Sequence, residues 1–142
     1  MKLAHLLARL FAGLTVLFGL AAAASVIGAA DQGTRALSAY FAKDFTDVAY
    51  QQKAYERVAA AWIRGTANPP IGAKSVVITT LSRDGRVAAA ALGMKSGVAA
   101  WDDAALAAVR KASPFAPFPA SYPGPTTEVH FHFEWKAQPL KH

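Results

Sequence analysis

An α+β domain is what the sequence predicts, with two helices packed on a small three-stranded antiparallel sheet and an N-terminal hydrophobic export or anchor segment ahead of it. Three observations carry that expectation. Two amphipathic stretches of helical period flank a β-branched run that contains Asp84-Gly85. A proline-dense link follows the second of them. Beyond it lies TTEVHFHFEW, residues 126–135, in which polar and apolar side chains alternate without a break.

The N-terminus reads as an address. Lys2 and Arg9 precede an uncharged stretch from Leu10 to Ala30. Leu10 to Leu20 has the length of a signal-peptide core, and breaks after Ala24 or Ala30 satisfy the small-residue rule for cleavage. The same stretch is also long enough to cross a bilayer, for which about 20 apolar residues suffice. Residues 1–30 are therefore expected to be a signal peptide or a membrane anchor, and both export the rest of the chain. The chain has no Cys, so a disulfide framework, a thiolate nucleophile and a zinc–cysteine site are all excluded. The net charge of +6 is dispersed over residues such as Lys43, Arg57, Arg64, Lys95 and Arg110. A nucleic-acid partner is not expected, because such binders concentrate charge into a patch.

Residues 31–46 are expected to form a short connector, partly helical, since Leu37, Tyr40, Phe41 and Phe45 recur at helical spacing. The domain proper is placed at 47–136, with a tail at 137–142. Its first helix is predicted over 48–64, capped by Thr46 or Asp47 and ended by a left-handed Gly65. The expected buried stripe is Val48, Tyr55, Val58, Ala59 and Trp62. Pro69-Pro70 then breaks regular structure. Val76 to Thr80 are all β-branched, and Asp84-Gly85 suits a tight turn with two positive φ angles, so 75–94 read as a hairpin. The second helix is predicted over 98–112. Asp102 and Asp103 sit in its first turn and Arg110 and Lys111 in its last, matching the helix dipole. Its expected stripe is Trp101, Ala105, Leu106, Val109 and Ala112.

In the last strand Val129, Phe131, Phe133 and Trp135 share the face that packs on the core. Glu128, His130, His132 and Glu134 share the other. Imidazoles two strand steps apart, about 7 Å, reach a common zinc or copper ion with a carboxylate as third ligand. A solvated or partner-facing surface needs only polar side chains there. His130 and His132 are thus weak metal candidates, and the leading reading is an edge strand whose free backbone groups template an incoming peptide. Glu128 through Trp135 are the candidate partner-binding residues. Imidazoles on that surface would also make docking sensitive to pH. Trp62, Trp101 and Trp135 read as packing, and Arg83 and Arg86 as solvated turn charges. No serine-nucleophile, zinc-protease or phosphate-loop motif is present, so neither a catalytic role nor a cofactor is expected.

Taken in order, the stretches YQQKAYERVAAAW, SRDGRVAAAALGMKSG, DDAALAAVRKASPFAPFP and VHFHFEW resemble the C-terminal domain of the TonB/TolA family, and the TolA-like members more closely. The resemblance covers roughly residues 47–136. It implies a periplasmic partner-binding domain of a Gram-negative energy transducer, docking a receptor or a Tol-like component by strand addition. Inner-membrane anchoring and homodimers made by strand exchange are further expectations. The alternative is a small periplasmic metal-binding protein using His130 and His132. One departure from the family concerns the spacer, since residues 31–46 reach only about 55 Å when fully extended.

Overall fold

The computed structural model describes residues 33–63 and 68–139. Its elements run β1 (Gly33–Phe41), α1 (Val48–Ala61), β2 (Lys74–Ser82), β3 (Val87–Met94), α2 (Ala99–Ala112) and β4 (Thr126–Ala137). The four strands form one antiparallel sheet in the order β1-β4-β2-β3. Both helices pack on the same face. The α+β class stands, and the sheet has four strands rather than three.

The added strand is β1, which lies where a partly helical connector was expected. Its residues Leu37, Ala39 and Phe41 alternate toward the core, while Tyr40 is turned out to solvent. Leu37 and Phe41 fit a period of two as well as a helical period. Pairing with β4 over nine residues, Gly33 opposite Ala137 through Phe41 opposite Val129, decides in favour of the strand.

Helix α1 begins as expected, with the Asp47 carboxylate accepting from the Tyr50 backbone N–H at 2.8 Å. It stops at Ala61, earlier than predicted, with Trp62 in an extended conformation as its C-cap. Gly65, the expected cap, lies outside the described residues. The buried stripe is Tyr50, Ala54 and Val58. That face is rotated from the expected one, and Val48 is left exposed. Helix α2 matches its predicted span closely and buries Trp101, Ala105, Ala108, Val109 and Ala112.

The hairpin closes differently from the two-residue turn expected. Only Gly85 has positive φ, and no non-glycine residue does. Gly85 donates to the Ser82 carbonyl at 2.8 Å and Ser82 to that of Arg86 at 2.9 Å. This is a three-residue loop with glycine in the left-handed place.

Two aromatic clusters fill the core between sheet and helices. At the end of the sheet where β1 begins, Trp62 packs edge-on against Trp101 and Phe133, and Trp101 against Trp135. The three tryptophans are packing residues, as expected. At the other end Phe45 meets Phe41, Tyr50, Phe118 and Tyr122. Each fully buried aromatic of this kind stabilises by roughly 1.5–3 kcal/mol, which fixes the β4 register that aims Phe131 and Phe133 inward.

Candidate functional site

Strand β4 carries the residues singled out for partner binding, and the structure places it inside the sheet. It is paired to β1 on one side and to β2 on the other, from Lys74 opposite Glu134 to Ser82 opposite Thr126. The edge position expected for residues 128–135 is therefore corrected. Its backbone groups already bond to neighbours, and a peptide reaches them only after β1 has left. The division of faces holds: Val129, Phe131, Phe133 and Trp135 are buried, and Glu128, His130, His132 and Glu134 point to the open face of the sheet.

On that open face Ser38, His132 and Val76 form one cross-strand row, and Tyr40, His130 and Ile78 the next. The His130 Nε2 lies 2.5 Å from the Glu128 carboxylate. The His132 ring stacks obliquely on Tyr40 at 4.6 Å between centroids. Partial burial, reinforced by Lys74 and His130, pushes the His132 imidazole below the ordinary 6.5, while Glu134 pulls the other way. Burial alone would raise the Glu134 carboxyl, but Lys136 at 3.1 Å and Lys74 at 3.6 Å hold it below the usual range. Among the described residues no group of three or more His, Cys, Asp or Glu is placed to hold a metal.

The two actual edges are β1 and β3. On β1 the Arg35 guanidinium lies 3.9 Å over the Trp62 ring and donates to the Trp62 carbonyl at 2.6 Å. With Leu37, Ala39 and Phe41 packed on the core, this edge is fastened down. Strand β3 is unlike it. Ala88, Ala89, Ala91, Gly93 and Met94 are exposed, and no charge or proline interrupts Val87 to Met94. Nothing in that run blocks a new strand, by side-chain bulk, charge or a missing N–H.

The hairpin tip is a junction that the sequence did not disclose as one. The Gly85 carbonyl accepts from the Phe115 N–H at 2.7 Å, and the Arg83 carbonyl from the Phe118 N–H at 3.0 Å. The Arg83 guanidinium donates to the carbonyls of Tyr122 and Gly124, at 2.8 and 2.9 Å. Arg83 is thus a brace, not a solvated turn charge; Arg86 remains exposed beside Asp84. From α1, the Tyr50 hydroxyl donates to the Ala116 carbonyl at 2.6 Å, and burial pushes its pKa up to about 12. The turn and the proline-rich exit, two motifs that look separate in the chain, hold each other. Their order along the sequence was the only available hint of this.

Asp102 was expected to serve the helix dipole from the surface. It is buried and accepts from the Ser75 hydroxyl at 2.6 Å and the Ser96 backbone N–H at 2.8 Å, while Asp103 is exposed. Burial raises its carboxyl, yet those bonds outweigh it and leave the group below its usual range. It fastens the start of α2 to β2.

A family model described as TonB C terminal matches residues 48–133, more than half of the chain. The chain belongs to the TonB C-terminal family. The matched span runs from the first residue of α1 into β4, so it takes in the hairpin, the exit and the candidate strand, and β1 lies ahead of it. No curated protein and no solved structure matches the chain. Membership in the TonB C-terminal family carries a protein-interaction role in the cell envelope.

Proposed function

We propose that this TonB-type domain docks a partner segment in the cell envelope by strand addition along the outer edge of β3. The observation that carries the reading is the difference between the two sheet edges. The bare alanine run Ala88–Ala91 offers unobstructed main chain, and its flanking hairpin tip is braced so that the edge is presented rigidly. Main-chain bonds then supply affinity, and side-chain spacing supplies selectivity. Glu128 through Trp135 take part from one strand further in. Their inner side chains set the register of the sheet, and Glu128, His130, His132 and Glu134 line the open face beside β2. Direct pairing of a partner with β4 requires β1 to detach, which is also the route to a strand-exchanged homodimer. Residues 1–30 deliver the domain to the periplasmic side, as a cleaved signal or as an anchor. An anchor would keep a role in energy transduction open.

The absence of Cys makes the test clean. Photoactivatable cross-linkers attached to single cysteines at Ala89 on β3, Ser38 on β1 and Lys111 on α2 are activated in intact envelopes. Defined adducts concentrated at position 89 support the reading. Adducts concentrated at position 38 move docking to the β1 side, and equal labelling at all three positions removes strand addition altogether.

A further inference from the structure

The end of the sheet at which β1 begins differs in kind from the other end. Gly33 opens β1, Ala137 closes β4, Lys74 opens β2 and Met94 closes β3, so all four termini gather there. Three large apolar side chains stand exposed around this end, Ile63 at 65%, Ile71 at 39% and Met94 at 49%. Lys74, Lys95 and Lys136 are interspersed with them. The acidic groups present are largely spoken for. Glu134 sits between Lys74 and Lys136, and Asp102 is buried on Ser75 and Ser96, leaving Asp103 exposed. The opposite end carries Lys43, Arg83 and Arg86 against Asp44, Asp84 and Glu128, with no comparable apolar residue among them.

The length of chain ahead of Gly33 gives this asymmetry a direction. The uncharged stretch ends at Ala30, and only Asp31 and Gln32 separate it from the first strand. Fully extended, that link spans about 7 Å. The connector of residues 31–46 is therefore not a spacer, because most of it is β1. If residues 10–30 lie in a bilayer, the β1 end of the sheet stands within a residue or two of the headgroups. Apolar side chains with lysines around them are what an anionic interface accepts.

We infer that the Gly33 end of the domain, through Ile63, Ile71 and Met94 with Lys74, Lys95 and Lys136, rests on the anionic surface of the membrane that holds the N-terminal segment. The inference builds on the anchoring branch of the proposed function. It deepens that function in one respect: the domain stands on the membrane with the hairpin tip pointing away, and the docking edge of β3 rises from the lipid surface. A partner must come to that surface, since a domain so tethered does not travel across the periplasm.

The full chain is reconstituted into vesicles of phosphatidylcholine alone or mixed with phosphatidylglycerol, carrying nitroxide on the headgroups. Fluorophores are placed on single cysteines at Pro70 or Gln138, near the proposed contact, and at Asp84 on the hairpin tip, about 25 Å further along β2. The expected result is flotation with both vesicles, and several-fold stronger quenching at positions 70 and 138 than at 84. The excess grows with phosphatidylglycerol and shrinks in Lys95→Glu. A chain that floats with neither vesicle overturns anchoring and this inference with it. A chain that floats but is quenched equally at 70, 138 and 84 overturns the inference and leaves anchoring intact. Preferential quenching that is indifferent to phosphatidylglycerol and to Lys95→Glu overturns recognition of anionic lipid.

Discussion

The two outer strands of this sheet are alike in exposure of backbone and opposite in how they are held. Strand β1 is fastened through side chains: Arg35 to Trp62, and Leu37, Ala39 and Phe41 to the core. Strand β3 is fastened at its turn, where Gly85 and Arg83 bond to the exit loop, and its alanines leave the strand itself nearly bare. The contrast teaches that an edge becomes a docking surface by having its side chains removed and its ends braced. An edge held by its own side chains serves instead to close the sheet over β4.

The largest effect is expected where β3 is braced. Gly85 has φ +86°, and a Cβ there would lie 2.0 Å from the Phe115 carbonyl oxygen. Relief of that overlap has to move backbone, since the obstacle is not a flexible side chain. Gly85→Ala should cost on the order of 3 kcal/mol or more, from strain and the lost junction together. Urea unfolding measures it, and a loss under about 1 kcal/mol would show that the turn and exit loop are not coupled.

The next comparison sets one aspartate on each edge. Leu37→Asp puts a charge on the core-facing side of β1 and should destabilise by about 2–4 kcal/mol, freeing β4 for promiscuous pairing. Ala89→Asp, on the exposed face of β3, should change stability by no more than about 0.5 kcal/mol while weakening docking as a gatekeeping charge. Equal destabilisation by the two would erase the distinction between the edges. A smaller effect comes from Arg35→Ala, which loses the stacked guanidinium and its bond to the Trp62 carbonyl. About 1–2 kcal/mol is expected in the same assay, with Arg35→Lys recovering only part of it.

These experiments address what the sequence left hidden. The alternation of Val129, Phe131, Phe133 and Trp135 with Glu128, His130, His132 and Glu134 declares which face of β4 is buried, because side chains alternate strictly along a strand. It says nothing about which strands lie to either side. Neighbours are set by pairing between distant segments, and β1 was masked because Leu37, Tyr40 and Phe41 satisfy two periods at once. The helix faces slipped for a related reason. Tyr50, Ala54 and Val58 bury a narrow stripe with a small residue at its centre, and an alanine-rich helix offers several stripes of similar apolarity. Family membership, by contrast, was legible, because the D-G turn, the Pro-Phe exit and the last strand recur in a fixed order. The structure supplies the reason for the first two, which bond to each other.

The smallest effect lies on the open face between the edges, at His132. Its imidazole is held below the ordinary 6.5 by partial burial against Tyr40 and by the charges of Lys74 and His130, with Glu134 opposing. The unfolded chain therefore binds a proton more readily than the folded one between those two values. Stability from this group is fully present above pH 6.5 and declines as pH falls toward the lower folded value. The urea midpoint should drop between pH 7.5 and 5.5, and His132→Gln should flatten that slope. Because Ser38 and Val76 flank His132 in its row, protonation loosens the junction of β1, β4 and β2 and leaves β3 untouched. Docking at β3 should then be insensitive over this range, whereas pairing with β4 after release of β1 should strengthen as pH falls. Comparing cross-linking at positions 38 and 89 across the same pH range separates the two. A pH response at position 89 matching that at 38 would mean that the edges do not act independently.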